Sequence, residues 1–168
     1  SPKAEPFKQW LAQVGYERVQ EIENPELAQQ RMKVFYKAKG YPDDWIEKRV
    51  RGIAVRQELT DEWKHRGVQE GAEFAILTNE ISEATFGVSI KDHKHIKGLD
   101  PKYKNKNLRD HMTDLELIFS MLGERLTTET TRKRNSQGFQ ENKQAATDGG
   151  QVAGRARQDS EKTLCVAV

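Results

Sequence analysis

Three of the four histidines lie close together in the sequence, with His93 and His95 on either side of Lys94 and with His111 further along. Such a group could hold zinc, which takes three or four His, Cys or carboxylate ligands in tetrahedral geometry. The neighbouring lysine opposes a bound cation because like charges repel at short range, and the single cysteine, Cys165, is distant in the sequence. The pattern therefore favours solvated histidines on a basic loop, and we expect neither a metal nor another cofactor.

An acidic group at Asp43, Asp44 and Glu47 has the residue types that a metal-dependent nuclease uses. These residues follow Pro42, and a proline often stands at the start of a helix. The helix N-terminus carries a partial positive charge that favours acidic side chains in the first turn. A helix start therefore explains this group better than a catalytic centre does.

Glycines near the end of the chain, at Gly149, Gly150 and Gly154, follow no predicted strand and lack the lysine of a phosphate-binding loop. Cys165 lies in no context that would activate a thiol as a nucleophile. Neither the glycines nor the cysteine therefore points to a catalytic site.

Basic residues are unevenly distributed along the chain. Residues 67–90 contain no lysine or arginine, whereas residues 91–110, here called the basic block, contain seven basic and three acidic residues. A second cluster, the basic triplet, follows at Arg132, Lys133 and Arg134. Clusters of this kind are typical of contacts with nucleic-acid phosphates, although a lysine-rich loop that only keeps the chain in solution would look the same. The nucleic-acid-binding residues predicted in the basic block are Lys91, Lys94, Lys97, Lys102, Lys104, Lys106 and Arg109.

Apolar residues recur at spacings of three and four through the first two-thirds of the chain, which indicates amphipathic helices. The sequence Thr113-Asp114-Leu115-Glu116 is typical of a capping box at a helix start. We therefore predict an all-α fold, an irregular multi-helix bundle followed by a glycine-interrupted helical C-terminal arm. The core residues predicted from the helical stripes are Trp10, Phe35, Trp45, Phe74, Ile118 and Leu122.

The composition changes near residue 127, so we predict a helical domain over residues 1–126 and a C-terminal arm over residues 127–168. The arm is rich in glycine and poor in large apolar side chains, and cannot offset its chain entropy alone. It must pack against something else. One possibility is a second copy or a protein partner, with Phe139, Val152 and residues 164–168 as anchors. The other is that the arm folds back on its own helices.

The chain has 168 residues, of which 35% are hydrophobic and 32% charged, with a formal net charge of +2. One cysteine excludes a disulfide framework. No apolar run approaches the roughly 20 residues of a membrane span, and no secretion signal opens the sequence. We therefore expect a cytoplasmic protein without membrane contact.

Several segments resemble, in order and spacing, the C-terminal region of prophage antirepressor-like proteins, which overlap the DNA-damage-inducible protein D family. The resemblance covers nearly the whole chain. The segments that carry it are FKQWLA at residues 7–12, GYER at 15–18, LTDEWK at 59–64, EFAILTN at 73–79, NLRDHMT at 107–113, GFQENK at 138–143 and AGRAR at 153–157.

In such proteins, residues 1–4 would follow a BRO-type domain, for which the resemblance implies DNA binding. It also implies a non-enzymatic regulator linked to prophage control or the DNA-damage response. We expect this chain to mediate oligomerisation or partner binding, with auxiliary contact between the basic block and DNA phosphates. Two alternatives stay open, a purely protein-binding module that titrates a repressor or a recombination protein, and a DNA-processing enzyme.

Overall fold

The computed structural model describes residues 4–99 and 106–168 and confirms the all-α fold. Seven α-helices and a short 3-10 helix account for the secondary structure of these residues, which contain no strand. The chain divides into two compact units, the first ending at Ile46 and the second beginning at Glu47. None of the helices described is long and apolar enough to cross a membrane.

The first unit contains helices α1 (Glu5–Glu23) and α2 (Glu26–Ala38), which form a hairpin. The turn between them follows from Asn24, whose side chain accepts a hydrogen bond from the backbone N–H of Glu26. A salt bridge of 2.7 Å between Arg31 and Glu21 joins the two helices. Every described residue of α1 and α2 remains at least partly exposed.

Helix α3 (Asp43–His65) begins in the first unit and continues in the second. Asp43 and Asp44 occupy its first turn, as the helix-start interpretation predicts. The second unit also contains α4 (Ala72–Phe86), α5 (Ile90–Ile96), the 3-10 helix (Leu108–His111), α6 (Asp114–Arg134) and α7 (Gly138–Leu164). The predicted capping box is confirmed, because Thr113 and Glu116 exchange hydrogen bonds at the start of α6.

The core of the second unit forms where α7 packs against α4 and α6. Its apolar centre consists of Leu59, Trp63, Val68, Leu77, Ile81 and Ala146. The side of α7 that faces α4 and α6 is made almost entirely of alanine and glycine, so the helices approach closely. A Cβ atom built on Gly149 would lie 2.6 Å from the backbone nitrogen of Thr127, and one built on Gly150 would lie 2.9 Å from the carbonyl oxygen of Ile81.

The C-terminal arm is helical. Gly138, with a φ of 65°, stands at the break between α6 and α7, whereas Gly149, Gly150 and Gly154 lie inside α7 without interrupting it. The arm packs against helices of its own chain, which was one of the two possibilities. Phe139 packs against the core, whereas Val152 remains exposed. The two compact units meet after Ile46. At residue 126, where the composition changes, α6 continues without a break and pairs with α7.

The predicted core is correct for Trp45, which is buried, and wrong for three residues. Trp10, Phe35 and Ile118 are 57%, 55% and 39% exposed. Phe74 and Leu122 are half-buried. The error has a physical cause in α6, where the buried side includes Ser120, Gly123, Thr127 and Thr131, small residues that fit the close helix contacts. Leu117 and Phe119 are also buried on this side, whereas Leu122 lies at its edge and Ile118 in solvent.

We expect Gly149→Ala to destabilise the second unit by about 2 kcal/mol or more, because the added methyl group would overlap the backbone of Thr127. Gly52→Ala is the matched control, since it is also a helical glycine of this unit but its Cβ would meet only the side chain of Met121, at 3.5 Å. The control should stabilise by up to about 1 kcal/mol. Urea denaturation measures both, and an equal effect of the two substitutions would contradict the close packing.

Candidate functional site

A buried network at the start of α6 joins Glu116 to two residues of the basic block, His93 and Lys97. Nε2 of His93 lies 3.0 Å from one carboxylate oxygen of Glu116, and Nζ of Lys97 lies 2.7 Å from the other. His93 is therefore buried, and the prediction that it is a solvated loop histidine is wrong. Lys97 forms an internal ion pair, so part of its charge is neutralised within the fold.

The pKa of Glu116 reflects these contacts. Burial alone would raise the pKa of Glu116, but hydrogen bonds from His93, Lys97 and the backbone N–H of Thr113 outweigh burial and lower it to about 2. Glu116 is therefore ionised at neutral pH and holds α5 to the N-terminus of α6. This role is structural.

A second internal network contains two arginines and one carboxylate. Both Arg56 and Arg109 form ion pairs with the same oxygen of Glu124, which is buried. Arg56 also donates a hydrogen bond to the hydroxyl of Thr78. Burial lowers the pKa of Arg56 below its ordinary value, an effect that Glu124 opposes and the positive charge of Arg109 reinforces. The two guanidinium groups thus share one negative charge.

A cleft of about 380 Å³ opens beside this network, between α4, α5, the 3-10 helix and α6. Three residues of the basic block line it, Lys94, Lys106 and Arg109. The remaining lining residues are Thr78, Ser82, Phe86, Ile90, Asn107, Leu108, Met112 and Ser120. None of these lining residues is acidic. Sequence analysis missed the hydroxyl and apolar residues of the cleft, because they come from four separate elements.

The basic triplet lies at the other end of α6, about 30 Å from the helix start at 1.5 Å per residue. Arg132 is 2.8 Å from both Glu58 and Glu62 of α3, and Arg134 pairs with Asp148 of α7. Lys133 is exposed. The structure therefore does not join the triplet and the basic block into one site, and it uses two of the three cations to tie helices together.

Three predicted nucleic-acid-binding residues remain, Lys91, Lys102 and Lys104. Lys91 is exposed on α5, whereas Lys102 and Lys104 lie outside the residues that the structure describes. In the described ranges, no group of three or more His, Cys, Asp or Glu residues could hold a metal ion.

A different surface, which sequence analysis assigned in part to the core, lies on the α1–α2 hairpin. Phe7 and Trp10 stack with ring centroids 5.9 Å apart. We use the name hairpin surface for the exposed large apolar residues of these two helices, which are Phe7, Trp10, Leu11, Tyr16, Val19, Ile22, Val34 and Phe35.

The second unit thus defines an all-helical domain whose ion pairs connect neighbouring helices and whose cleft is basic. The family model of the DinD C-terminal domain matches residues 47–164, which is nearly all of this unit. The chain belongs to that family, the C-terminal domain of DNA-damage-inducible protein D, as the resemblance implied. No curated protein matches the chain.

The lowered pKa of Glu116 predicts an acid-sensitive contribution to stability. A carboxylate whose pKa falls from 4.5 to about 2 on folding stabilises the fold above pH 4.5, and the contribution disappears as the pH falls towards 2. Glu116→Gln should therefore cost about 3 kcal/mol at pH 7 and progressively less below pH 4.5. Chemical denaturation across this pH range measures the difference, and a cost independent of pH would contradict the assignment.

Proposed function

We propose that this chain is a non-enzymatic regulatory module of a DNA-damage-inducible protein and acts by self-association. Membership in the family supports the link to DNA damage. The hairpin surface supports the self-association. A role in prophage control and a cytoplasmic location belong to the same proposal. The first rests on the resemblance to antirepressor-like proteins, and the second on the single cysteine and the lack of a long apolar run.

The size of the hairpin surface is the observation that carries the proposal. Its four aromatic residues, Phe7, Trp10, Tyr16 and Phe35, are 55% to 61% exposed. An aromatic side chain has about 150–250 Å² of surface that can be buried, so the exposed parts of these four side chains add up to roughly 400 Å². This equals the largest apolar patch of a typical monomer. With the four exposed aliphatic residues it approaches the roughly 800 Å² that each partner buries in a stable complex.

The charges of the hairpin favour a second copy as the partner. Helix α1 contains four acidic and two basic residues, whereas α2 contains one acidic and three basic residues. A two-fold axis would place α1 of one copy, with a net charge of −2, against α2 of the other, with a net charge of +2, in addition to the Arg31–Glu21 pair that joins the two helices within one copy. A symmetric pair of hairpins would then bury the apolar residues at its centre.

Auxiliary contact with DNA phosphates remains part of the proposal, in reduced form. Exposed Lys91 and Lys133 are suited to such contact, whereas Lys97, Arg132 and Arg134 already form internal ion pairs. Each phosphate contact would change the slope of log affinity against log salt by about 0.9 on duplex DNA.

Trp10→Glu should weaken self-association by about 30-fold or more, because it places a charge at an aromatic position of the hairpin surface. Gln29→Glu is the control, since it adds the same charge to an exposed position of α2 that lies about 120° or more around that helix from Val34 and Phe35. Light scattering after size-exclusion chromatography measures the mass as a function of concentration. A wild-type chain that remains monomeric at high micromolar concentration would overturn the proposal.

A further inference from the structure

The cleft beside α5 combines three kinds of surface that rarely occur together by chance. Apolar side chains from α4, α5, the 3-10 helix and the connection before α6 form one part of its lining, and Phe86 provides an aromatic ring. Lys94, Lys106 and Arg109 provide positive charge. The rest of the lining carries hydroxyl and amide groups, which belong to Thr78, Ser82, Asn107 and Ser120. A ligand that matches this lining carries an anionic group and a flat, largely apolar ring with hydrogen-bonding edges.

We propose that this cleft binds a nucleoside monophosphate, either as a free nucleotide or as the end of a nucleic-acid strand. Its volume of about 380 Å³ falls within the range of small-molecule sites, roughly 300–1,000 Å³. Bases stack on aromatic side chains whatever their sequence, and Phe86 is the aromatic residue of this cleft.

The internal charges explain why an anion is the preferred ligand. Arg56 and Arg109 share the single carboxylate of Glu124, so one guanidinium charge beside the cleft lacks an equivalent acidic partner in this network. Lys94 and Lys106 add two further positive charges to the lining. A bound phosphate would compensate the guanidinium charge that Glu124 does not match, in a partly desolvated position where charge–charge attraction is stronger than in water.

The position of Phe86 is fixed by the same network that holds α5 in place. Its ring contacts the imidazole of His93 with centroids 5.0 Å apart, and His93 in turn contacts Glu116. Lys94 follows His93 on α5, so the aromatic ring and this cation are held by connected contacts. The cleft is therefore organised before a ligand enters, which reduces the entropy lost on binding.

Isothermal titration calorimetry on the whole chain tests the proposal with four probes: adenosine 5′-monophosphate, adenosine, inorganic phosphate and a single-stranded oligonucleotide with a 5′-phosphate. Adenosine 5′-monophosphate should bind at least about tenfold more tightly than adenosine or phosphate alone, because it uses both parts of the cleft. Competition between the oligonucleotide and the mononucleotide would support a strand end as the ligand. Binding of the mononucleotide without such competition would support a free nucleotide.

Lys94→Gln and Lys106→Gln should each weaken binding of the mononucleotide by about tenfold. Lys133→Gln is the control, because it removes an exposed cation at the far end of α6. Circular dichroism checks that each variant is folded, and Lys106 is exposed, so its replacement does not threaten the core. The proposal is overturned if the mononucleotide does not bind, if it binds no better than phosphate, or if Lys133→Gln weakens binding as much as the other two. Nucleotide binding is measured by calorimetry and self-association by light scattering, so each proposal can fail without the other.

Discussion

The close approach of α7 to α4 and α6 is the constraint on which the second unit depends. Backbone atoms of Thr127 and Ile81 occupy the places where side chains of Gly149 and Gly150 would otherwise lie. Polar groups can be buried at this contact because they are paired locally. Thr127 donates its hydroxyl hydrogen to the carbonyl oxygen of Gly123, and Thr131 donates to the side chain of Asn142. The core is thus held by tight helix contacts more than by large apolar residues.

This form of packing also explains where the charges lie. Helices that approach so closely leave little room for long side chains between them, so arginines and carboxylates pair along the edges of the contacts, as Arg132 does with Glu62. Where two arginines share one carboxylate, at Glu124, the edge becomes an electropositive cleft. The first unit differs, because eight of its large apolar residues are exposed on the hairpin surface. The tasks that we propose for the two units therefore differ, with association assigned to the hairpin and anion binding to the cleft.

Local features were the most predictable from the sequence. The cap at Thr113 forms as its side-chain chemistry indicates, because it depends on residues within one helical turn. The burial of His93 and the exposure of Trp10 could not be read in the same way. A helical stripe shows that a side is apolar but not what covers it. A histidine next to a lysine gives no sign that it will pair with a glutamate distant in the sequence. Likewise, glycines in the arm indicate a flexible chain unless a closely packed neighbour is known.

Hydrogen–deuterium exchange gives the most direct test of the central claim, that α7 is an integral part of the core. The backbone amides of α7 around Ala146 and Gly150 should exchange as slowly as those of α4 around Leu77, because both are released only when the whole unit unfolds. Rapid exchange of α7 while α4 and α6 stay protected would contradict the account, since it would show a core that is stable without this helix.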